Sequence, residues 1–355
     1  MSNINKIQKE MGRKGLSALL LTDEVDRLYA TGFHSTAGAL LILADKAYFI
    51  TDSRYIEAAG EKISNAEVLQ STTELPKSAV LKGLLSKNGI SRLGAQDASL
   101  SYRDYLQLEK DLGIKFFPAQ DICTTLRRVK EQYEVDNIVA AQRIAEKAFD
   151  FVLGYIKPGL SEKDVAAELE YRMMKGGAEG LSFETICVAG PNSSRPHGVP
   201  GDYKVQDGDF LTMDFGCKIG GYCSDMTRTV AIGSASDEMH RVYDVVLEAQ
   251  LAGIAAFHGG VIGRDVDLAA RAVIEKAGYG EYFGHGFGHS VGLLIHESPN
   301  ANLKENGPLP AGAVVTAEPG IYLPGKFGVR IEDMLLIKDG GSANLTQAPK
   351  ELIIL

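Results

Sequence analysis

The chain has 355 residues, of which 45% are hydrophobic and 23% are charged, and its formal net charge is −9. This length predicts two domains or one large one, and the composition is typical of a globular protein. The acidic balance disfavours nucleic acid as a partner, and no apolar run approaches the roughly 18 residues that a membrane span needs.

The N-terminus lacks the continuous apolar segment of a signal peptide, so we expect a cytoplasmic protein. None of the cysteines forms a Cys-x-x-Cys pair, which disfavours a structural zinc site. We expect all of them to be reduced thiols, as is usual in a cytoplasm. They are Cys123, Cys187, Cys217 and Cys223.

Residues 1–125 predict a small α/β domain in which amphipathic helices alternate with short apolar strands. The predicted elements are a helix starting at Ile4, a strand over Ser17–Leu21, a hairpin over Gly38–Thr51, a helix over Ser53–Ile63, a strand over Ala66–Gln70, a helix over Lys77–Lys87, a strand over Arg92–Ala95, a helix over Tyr102–Leu112 and a strand over Ile114–Phe117. The polar features of interest in this domain are His34 and the run from Asp52 to Tyr55.

A charged stretch from Thr124 to Asp136 predicts a boundary, so that residues 126–355 form a second domain. Apolar residues at helical spacing between Val135 and Val152 predict a long helix. Ser161 and Asp164 have the spacing of a capping box, which predicts a second helix up to Lys175.

The same pattern recurs further along the chain. Ser234 and Asp237 repeat the capping spacing and predict another long helix, and a further helix follows it. Gly159 corresponds to Gly260 at an offset of 101 positions. We infer an internal duplication in which each half consists of two helices followed by a sheet.

The first half contains a hairpin with two aspartates. If Ile219 and Gly220 form its two-residue turn, Asp214 and Asp225 lie directly opposite each other. Like charges in that position destabilise a sheet, which indicates a cation between them, most simply a metal ion. Two exposed surface aspartates are the alternative that this pair leaves open.

The duplication predicts a second acidic hairpin, and the sequence contains one. Glu318 and Glu332 are placed symmetrically about Gly325. They follow Asp214 and Asp225 by 104 and 107 positions, as expected if the loops differ slightly in length. Two such hairpins facing each other would bring four carboxylates together.

Histidines are concentrated between the two hairpins. His285, His289 and His296 fall within twelve residues, and His197 occupies a turn-rich loop. The glycines around His285 do not match a dinucleotide fingerprint, and His296 does not begin an H-E-x-x-H motif.

Four carboxylates and one imidazole form a hard ligand set with a charge of about −4, which suits two divalent ions such as manganese or cobalt. Without ions, two of the charges about 4 Å apart repel by roughly 4 kcal/mol at an effective dielectric constant of 20. A bridging water between two ions becomes a hydroxide at neutral pH.

Five segments resemble the pita-bread metallopeptidases, the family of methionine aminopeptidase, Xaa-Pro aminopeptidase, prolidase and creatinase. They are Met213–Gly216, Ser224–Thr229, Gly284–His289, Ala317–Tyr322 and Val329–Asp333. The resemblance implies an α/β (α+β) protein with a creatinase-like N-terminal domain over 1–125. A pseudo-twofold duplicated pita-bread catalytic domain would follow over 126–355.

The resemblance also implies roles for individual residues. His197, His285 and His296 match substrate- and transition-state-binding histidines, and Arg330 would contribute to substrate binding and orient the carboxylates. Asp225 and Glu332 would bridge both ions, and Glu318 would also handle the proton of the bridging water. The implied metal ligands are Asp214, Asp225, His289, Glu318 and Glu332.

The implied activity is hydrolysis of Xaa-Pro bonds in short peptides with proline at the second position, by a metal-bridging hydroxide. Mn²⁺ is the expected ion, with Co²⁺ or Zn²⁺ as alternatives. The expected assembly is a homodimer, in which His34 and Arg54 are candidates for closing the active site.

The sequence favours an Xaa-Pro aminopeptidase and leaves an Xaa-Pro dipeptidase open, because the two share these motifs. Two further alternatives are a creatinase-like or lyase activity and a non-catalytic peptide-binding protein with the same fold. The complete ligand set argues against a metal-free hydrolase and against the non-catalytic alternative.

Overall fold

The computed structural model describes residues 2–355, and it divides the chain into one compact unit up to Arg127 and another from Arg128 to Leu355. None of the helices in this described part is both long and apolar enough to cross a membrane.

The N-terminal unit is built around a six-stranded sheet. Its strands are β1 (Ala18–Leu21), β2 (Ala39–Leu43), β3 (Ala47–Thr51), β4 (Glu67–Gln70), β5 (Arg92–Ala95) and β6 (Lys115–Pro118). Its helices are α1 (Asn3–Arg13), α2 (Glu24–Thr31), α3 (Ile56–Lys62), α4 (Lys77–Lys87), α5 (Tyr102–Leu112) and α6 (Gln120–Arg127). The strand order is β4-β3-β2-β1-β5-β6, in which only the pairs of β2 with β1 and β3 are antiparallel.

Helix α2 was not predicted, and its residues explain why. Asp23 begins it by accepting hydrogen bonds from the backbone N–H groups of Val25 and Asp26, and Gly32, with a left-handed φ of 71°, ends it. Its buried face includes the charged residues Asp26 and Arg27, so it has no apolar stripe that a hydrophobic pattern could reveal.

The second unit contains four long helices, α7 (Gln132–Leu153), α8 (Glu162–Lys175), α9 (Asp237–Ala256) and α10 (Gly263–Lys276). The strands of its first half are β7 (Ile186–Ala189), β8 (Phe210–Phe215), β9 (Lys218–Ile219), β10 (Tyr222–Cys223) and β11 (Met226–Ala231). Those of its second half are β12 (Gly288–Ser290), β13 (Glu297–Ala301), β14 (Val314–Ala317), β15 (Gly320–Leu323), β16 (Phe327–Arg330), β17 (Asp333–Lys338) and β18 (Gly341–Asn344).

The two halves repeat the same arrangement, as the duplication predicted. Each begins with two helices, and the strand order β11-β8-β7 in the first half matches β17-β14-β12 in the second. The small ladders β9–β10 and β15–β16 form the corresponding hairpin tips. A backbone hydrogen bond joins the two halves: the Glu332 N–H donates to the Thr227 carbonyl at 3.1 Å.

The helix starts agree with the predicted caps in one half and differ in the other. Ser161 and Asp164 form the predicted capping box at the start of α8. At α9 the prediction of Ser234 is wrong: the cap is Ser236, whose hydroxyl accepts from the Met239 N–H. The Ser234 N–H instead donates to the Ile232 carbonyl, which holds Ser234 in the preceding turn.

Each half has its own hydrophobic core between its helices and its sheet. In the second half, the ring of Phe287 lies so close to Gly253 of α9 that a Cβ atom at Gly253 would collide with it. Phe287 also packs against Phe257, with ring centroids 5.8 Å apart. This packing fixes the glycine-rich segment that carries His285 and His289.

Candidate active site

A cavity of about 580 Å³ lies in the second unit and is lined by every site residue that the sequence predicted for the catalytic domain. Its lining comes from the loop around His197, the two acidic hairpins and the histidine-rich segment. The predicted residues in its wall are His197, Asp214, Asp225, His285, His289, His296, Glu318, Arg330 and Glu332.

The register of the first hairpin differs from the prediction. The turn is formed by Gly220 and Gly221, with φ angles of 58° and 79°, one position further along than expected. Asp214 therefore pairs with Thr227, and not with Asp225. The prediction that the two aspartates face each other in the ladder is wrong, because both turn positions need the left-handed conformation that glycine adopts most easily.

Asp225 nevertheless reaches the same cavity as Asp214, because it lies in the break between β10 and β11. The break depends on Gly216, where a Cβ atom would collide with the Ser224 carbonyl. Residues in such a break do not follow the alternation of the strand. The carboxylate can therefore turn towards the cavity.

The second hairpin has the predicted symmetry. Both of its ladders pair residues symmetrically about Gly325, with Ala317 opposite Asp333 and Gly320 opposite Arg330. Glu318 and Glu332 lie between these ladders, at equivalent breaks.

The acidic groups and one imidazole come close together. His289 Nε2 lies 3.6 Å from Asp225 Oδ2 and 3.4 Å from Glu318 Oε1. One donor atom each of Asp225, His289 and Glu332 lie within 4.8 Å of one another. His289 Nδ1 is 3.2 Å from the Ser290 carbonyl, which can only accept, so Nδ1 carries the proton and the Nε2 lone pair faces the carboxylates.

This cluster is electrostatically unfavourable on its own. Burial, followed by the charges of neighbouring carboxylates, raises the pKa values of Asp225 and Glu332 well above their usual range. Burial raises the pKa of Glu318 to about 8, although Arg330 opposes the shift. Burial and then the proximity of His296 lower the pKa of His289 to about 4.

The donor set fits divalent cations. Asp214 Oδ1 is buried without a hydrogen-bond partner among the described residues. Repelling carboxylates, an unpaired carboxylate oxygen and an imidazole lone pair all need positive charge beside them. Oxygen donors with a single imidazole are what hard divalent ions prefer.

Arg330 is the hydrogen-bonding centre behind the acidic groups. Its Nη2 donates to Asp214 Oδ2 at 2.6 Å, and its Nε donates to Thr227 Oγ1 at 3.1 Å. Its Nη1 donates to the hydroxyl of Tyr322 at 2.8 Å and to the Pro196 carbonyl at 3.2 Å. Thr227 Oγ1 in turn donates to Glu332 Oε2 at 2.7 Å, so one buried guanidinium fixes two of the acidic side chains.

Tyr322 is the functional residue that the sequence interpretation missed. Its hydroxyl lies 2.9 Å from His285 Nε2, while His285 Nδ1 contacts the Gly286 carbonyl at 2.8 Å. The carbonyl can only accept, so Nδ1 is protonated and Nε2 accepts from Tyr322. Burial lowers the pKa of His285 to about 4, which keeps the ring neutral. Residues two apart in a strand share a face, so Tyr322 lies on the same face of β15 as Gly320, which pairs with Arg330. This alternation along β15 was the signal in the sequence that could have placed Tyr322 near Arg330.

Helix α10 fixes the segment around His285. Asp267 is fully buried and accepts from the Phe287 N–H at 2.9 Å. It also forms an ion pair with Arg271, whose guanidinium donates to the carbonyls of Phe283 and His285. The histidine-rich segment is therefore held by hydrogen bonds as well as by packing.

His197 and His296 lie on the open side of the cavity, where both side chains are exposed. The ring of His296 packs edge-on against His289, with ring centroids 4.4 Å apart. Burial, followed by the proximity of His197, lowers the pKa of His296. Of the four histidines that line the cavity, these two are the exposed ones.

The predicted candidates in the N-terminal unit lie on its surface. The His34 ring is 68% exposed and forms an ion pair with Glu24, and Arg54 is 65% exposed and paired with Asp52. The cysteines, which were predicted to be reduced thiols, are all free, and their side chains are buried.

The fold and the site together define a metallopeptidase with an accessory N-terminal domain. The chain belongs to metallopeptidase family M24, whose model matches residues 136–339, and residues 3–129 match the creatinase/prolidase N-terminal domain. These matches confirm the predicted family, the α/β fold and the assignment as an enzyme. The family also implies divalent metal ions.

Relatives of this chain include proline-specific peptidases. It is 35% identical to the Xaa-Pro dipeptidase of Pyrococcus horikoshii, over 99% of this chain and 98% of the relative. A solved structure of an Xaa-Pro dipeptidase from Bacillus anthracis is 40% identical, with a TM-score of 0.96 and 99% of each chain covered. An X-Pro aminopeptidase structure from Thermotoga maritima is 36% identical, with a TM-score of 0.93 over 98% of this chain and 100% of the other.

Proposed function

We propose that the protein is a dinuclear metal-dependent aminopeptidase that hydrolyses the Xaa-Pro bond at the N-terminus of short peptides. One observation carries this proposal: four acidic side chains and His289 converge in one cavity, where exposed histidines border the open side. Relatives named for Xaa-Pro hydrolysis support the choice of substrate.

The proposed metal ligands are the five side chains of this cluster, Asp214, Asp225, His289, Glu318 and Glu332. The proposed ions are Mn²⁺, because oxygen donors dominate the set, and Co²⁺ and Zn²⁺ are the alternatives. When bound, the ions would polarise the scissile carbonyl and lower the pKa of a water molecule so that it attacks at neutral pH.

Glu318 is the group that we propose takes up the proton of the attacking water. Its Oε1 lies 3.4 Å from His289 Nε2, within the cluster that would hold the ions and the attacking water, where a carboxylate can act as a general base. Thr316 Oγ1 donates to Glu318 Oε1 at 3.3 Å and holds the carboxyl group in place. The proton can then pass from a Glu318 oxygen to the leaving proline nitrogen.

His296 and His197 are proposed to contact the substrate, because they are exposed to the cavity mouth. A neutral imidazole can donate from one ring nitrogen and accept at the other. His296 would donate to the scissile carbonyl as negative charge develops there. His285 would act indirectly, through the residues that it contacts, because both of its ring nitrogens already contact protein atoms.

Arg330 and Tyr322 are proposed to keep the carboxylates oriented. Every guanidinium nitrogen of Arg330 already donates to a protein acceptor, which supports an orienting role rather than a direct contact with substrate. Hydrogen bonds of this kind fix the orientation of metal ligands.

The absence of a free cation supports aminopeptidase over dipeptidase activity. A dipeptidase has to capture the carboxylate of the C-terminal proline. Among the described residues that line the cavity, Arg330 is the only arginine or lysine, and each of its three nitrogens already donates to a protein acceptor. A dipeptidase remains the second candidate, because relatives carry that name and His197 or His296 would then have to bind the carboxylate.

The test uses protein stripped with a chelator and reloaded with Mn²⁺. Hydrolysis of Ala-Pro, Ala-Pro-Ala and Ala-Ala-Ala is compared, and Asp225→Asn serves as the inactive control. We expect both proline peptides to be cleaved, the tripeptide faster, and Ala-Ala-Ala to remain intact. A reloaded protein that leaves both proline peptides intact would refute the proposal, whereas cleavage of the dipeptide alone would select the second candidate.

A further inference from the structure

A second cavity, of about 510 Å³, lies within the N-terminal unit. It opens at the carboxyl ends of the parallel neighbours β1 and β5. The antiparallel strand β2 begins at the same place. In open α/β sheets, ligands bind in the crevice at the carboxyl ends of the strands. Helices α4 and α5 supply the remaining wall, with Lys77, Leu81, Asp104, Gln107 and Leu108.

Arg27 in the wall of this cavity is a buried cation whose guanidinium hydrogen bonds go to carbonyl groups, although the charges of Glu24 and Asp23 lie near it. Only 2% of the residue is exposed. Its Nη2 donates to the Ser35 carbonyl at 2.6 Å and its Nη1 donates to the Thr22 carbonyl, but its Nε has no partner among the described residues. Burying a charge is costly, and a ligand carboxylate would complete the arrangement.

A second cation lies nearby at the start of α4. Lys77 is the first residue of this helix, whose cap makes no side-chain hydrogen bond and whose first turn contains no acidic residue. Burial of the Lys77 ammonium group among protein atoms, and then the charge of Arg27, lower the pKa of Lys77, although much of the rest of the residue is exposed. The positive end of the α4 dipole adds to this potential.

The cavity also contains two acidic residues. Asp23 caps α2 and Asp104 lies in the first turn of α5, and both line the cavity. These carboxylates would repel a dianion such as phosphate, and Arg27 and Lys77 would repel a simple cation. A molecule with one negative and one positive group can pair with the two cations and with the two acidic residues of the cavity wall.

We propose that this cavity is a second ligand site, which binds a small zwitterion of amino-acid or dipeptide size. Its carboxylate lies against Arg27 and Lys77, and its ammonium group lies against Asp23 and Asp104. The volume falls within the range of natural small-molecule sites, roughly 300–1,000 Å³. The proposal does not depend on the activity of the other unit.

The test is isothermal titration calorimetry on the metal-loaded full chain. L-alanine and L-alanyl-L-alanine are the zwitterionic probes, and acetate, ethylammonium and inorganic phosphate are the single-sign controls. We expect saturable binding of a zwitterion and none of the controls at the same concentration. The tighter of the two zwitterions identifies the size of ligand that the site accepts.

Two lysines on the same helix provide a matched pair. Lys77→Met removes the cation at the cavity and should weaken binding about tenfold, or roughly 1.4 kcal/mol. Lys82→Met removes an exposed charge that does not line the cavity and should leave binding unchanged. Lys77 is itself solvent-exposed by surface area, so its replacement is compatible with folding.

His296→Ala separates this site from the catalytic cavity, because His296 lines only the latter. Binding of the zwitterion should persist in this variant. The proposal is overturned if no zwitterion binds below about 10 mM, a free energy of roughly −2.7 kcal/mol. It is equally overturned if acetate or phosphate binds as tightly, if Lys77→Met has no effect, or if His296→Ala abolishes binding.

Discussion

Lys130 and Glu297 form a buried ion pair directly beside His296. Lys130 Nζ lies 3.1 Å from Glu297 Oε2, and only 1% and 4% of the two side chains are exposed. Glu297 Oε1 also accepts from the Leu294 N–H at 3.1 Å. The carboxylate therefore closes the turn that presents His296 to the cavity.

Lys130→Met should lower both stability and kcat. Removing one partner of a buried pair leaves an uncompensated charge, which costs about 3–5 kcal/mol. Because the turn then loosens around His296, we expect kcat to fall more than KM changes. Urea denaturation measures the first effect, and steady-state kinetics with Ala-Pro-Ala measure the second.

The matched control is Lys326→Met, which removes an ion pair with Glu238 that lies on the surface. Exposed pairs contribute little, so stability and kcat should both remain unchanged. If Lys130→Met retained the kcat of the unaltered protein, the pair would have no role in positioning His296.

Tyr322→Phe should reduce activity without releasing metal. The change removes the hydroxyl that joins His285 to Arg330, but Arg330 keeps its hydrogen bond to Asp214. Losing a hydrogen-bond partner around a metal site typically costs about 10–100-fold in activity. The measurements are kcat/KM and metal content per chain.

Tyr243→Phe is the control for this change, because it also removes one buried tyrosine hydrogen bond, from the hydroxyl to the Lys350 carbonyl. Tyr243 does not line the cavity. Both variants should lose stability by about 1–3 kcal/mol, while only Tyr322→Phe should lose activity. Equal losses of activity would show that the effect of Tyr322 is structural.

The metal-free protein should become less stable as the pH rises. The folded-state pKa values of Asp225, Glu318 and Glu332 are raised above their ordinary values near 4, and that of Glu318 reaches about 8. Acidic groups with raised pKa values favour the folded state when protonated. Their contribution is complete below about pH 4 and is lost as the pH rises towards 8 and beyond.

Thermal unfolding between pH 5 and pH 8, with chelator or with Mn²⁺, measures this dependence. The metal-loaded protein should not show the loss, because the ions neutralise the carboxylates. Asp225→Asn should flatten the dependence of the metal-free protein, since it removes one of the repelling charges. A metal-free protein whose stability rises over this range would contradict the assignment of these shifts.

His285→Ala and His289→Ala should differ in metal content. His289 directs its Nε2 towards Asp225 and Glu318, whereas both ring nitrogens of His285 contact protein atoms. We expect His289→Ala to lose metal, and His285→Ala to keep metal but turn over more slowly. Elemental analysis after gel filtration distinguishes the two, and loss of metal from His285→Ala would reverse the assignments.

The residues of the site were recognisable from the sequence because each acidic residue stands in a distinctive local pattern. The duplication was recognisable for a similar reason, since Gly159 and Gly260 and the two acidic hairpins recur at nearly constant spacing. The symmetric register about Gly325 was also predictable, because a single glycine with a φ of 73° marks that turn.

The register of the first hairpin was predicted wrongly, because a turn at Ile219 and Gly220 was assumed. The adopted turn places glycine at both left-handed positions, with φ angles of 58° at Gly220 and 79° at Gly221. The contact of Tyr322 with His285 joins segments 37 residues apart, and local sequence patterns do not contain such information. Helix α2 was missed because its buried face is partly charged.

Three of the four acidic residues, Asp225, Glu318 and Glu332, lie at interruptions of their ladders, whereas Asp214 lies within β8, opposite Thr227. Asp214 and Asp225 are eleven positions apart, whereas Glu318 and Glu332 are fourteen apart, yet all four reach one cavity. The hairpin tips beyond them can therefore lengthen or shorten during evolution without moving the acidic groups. Insertions engineered at Gly220 or Gly325 offer a way to add new recognition elements to this scaffold while sparing its reactive centre.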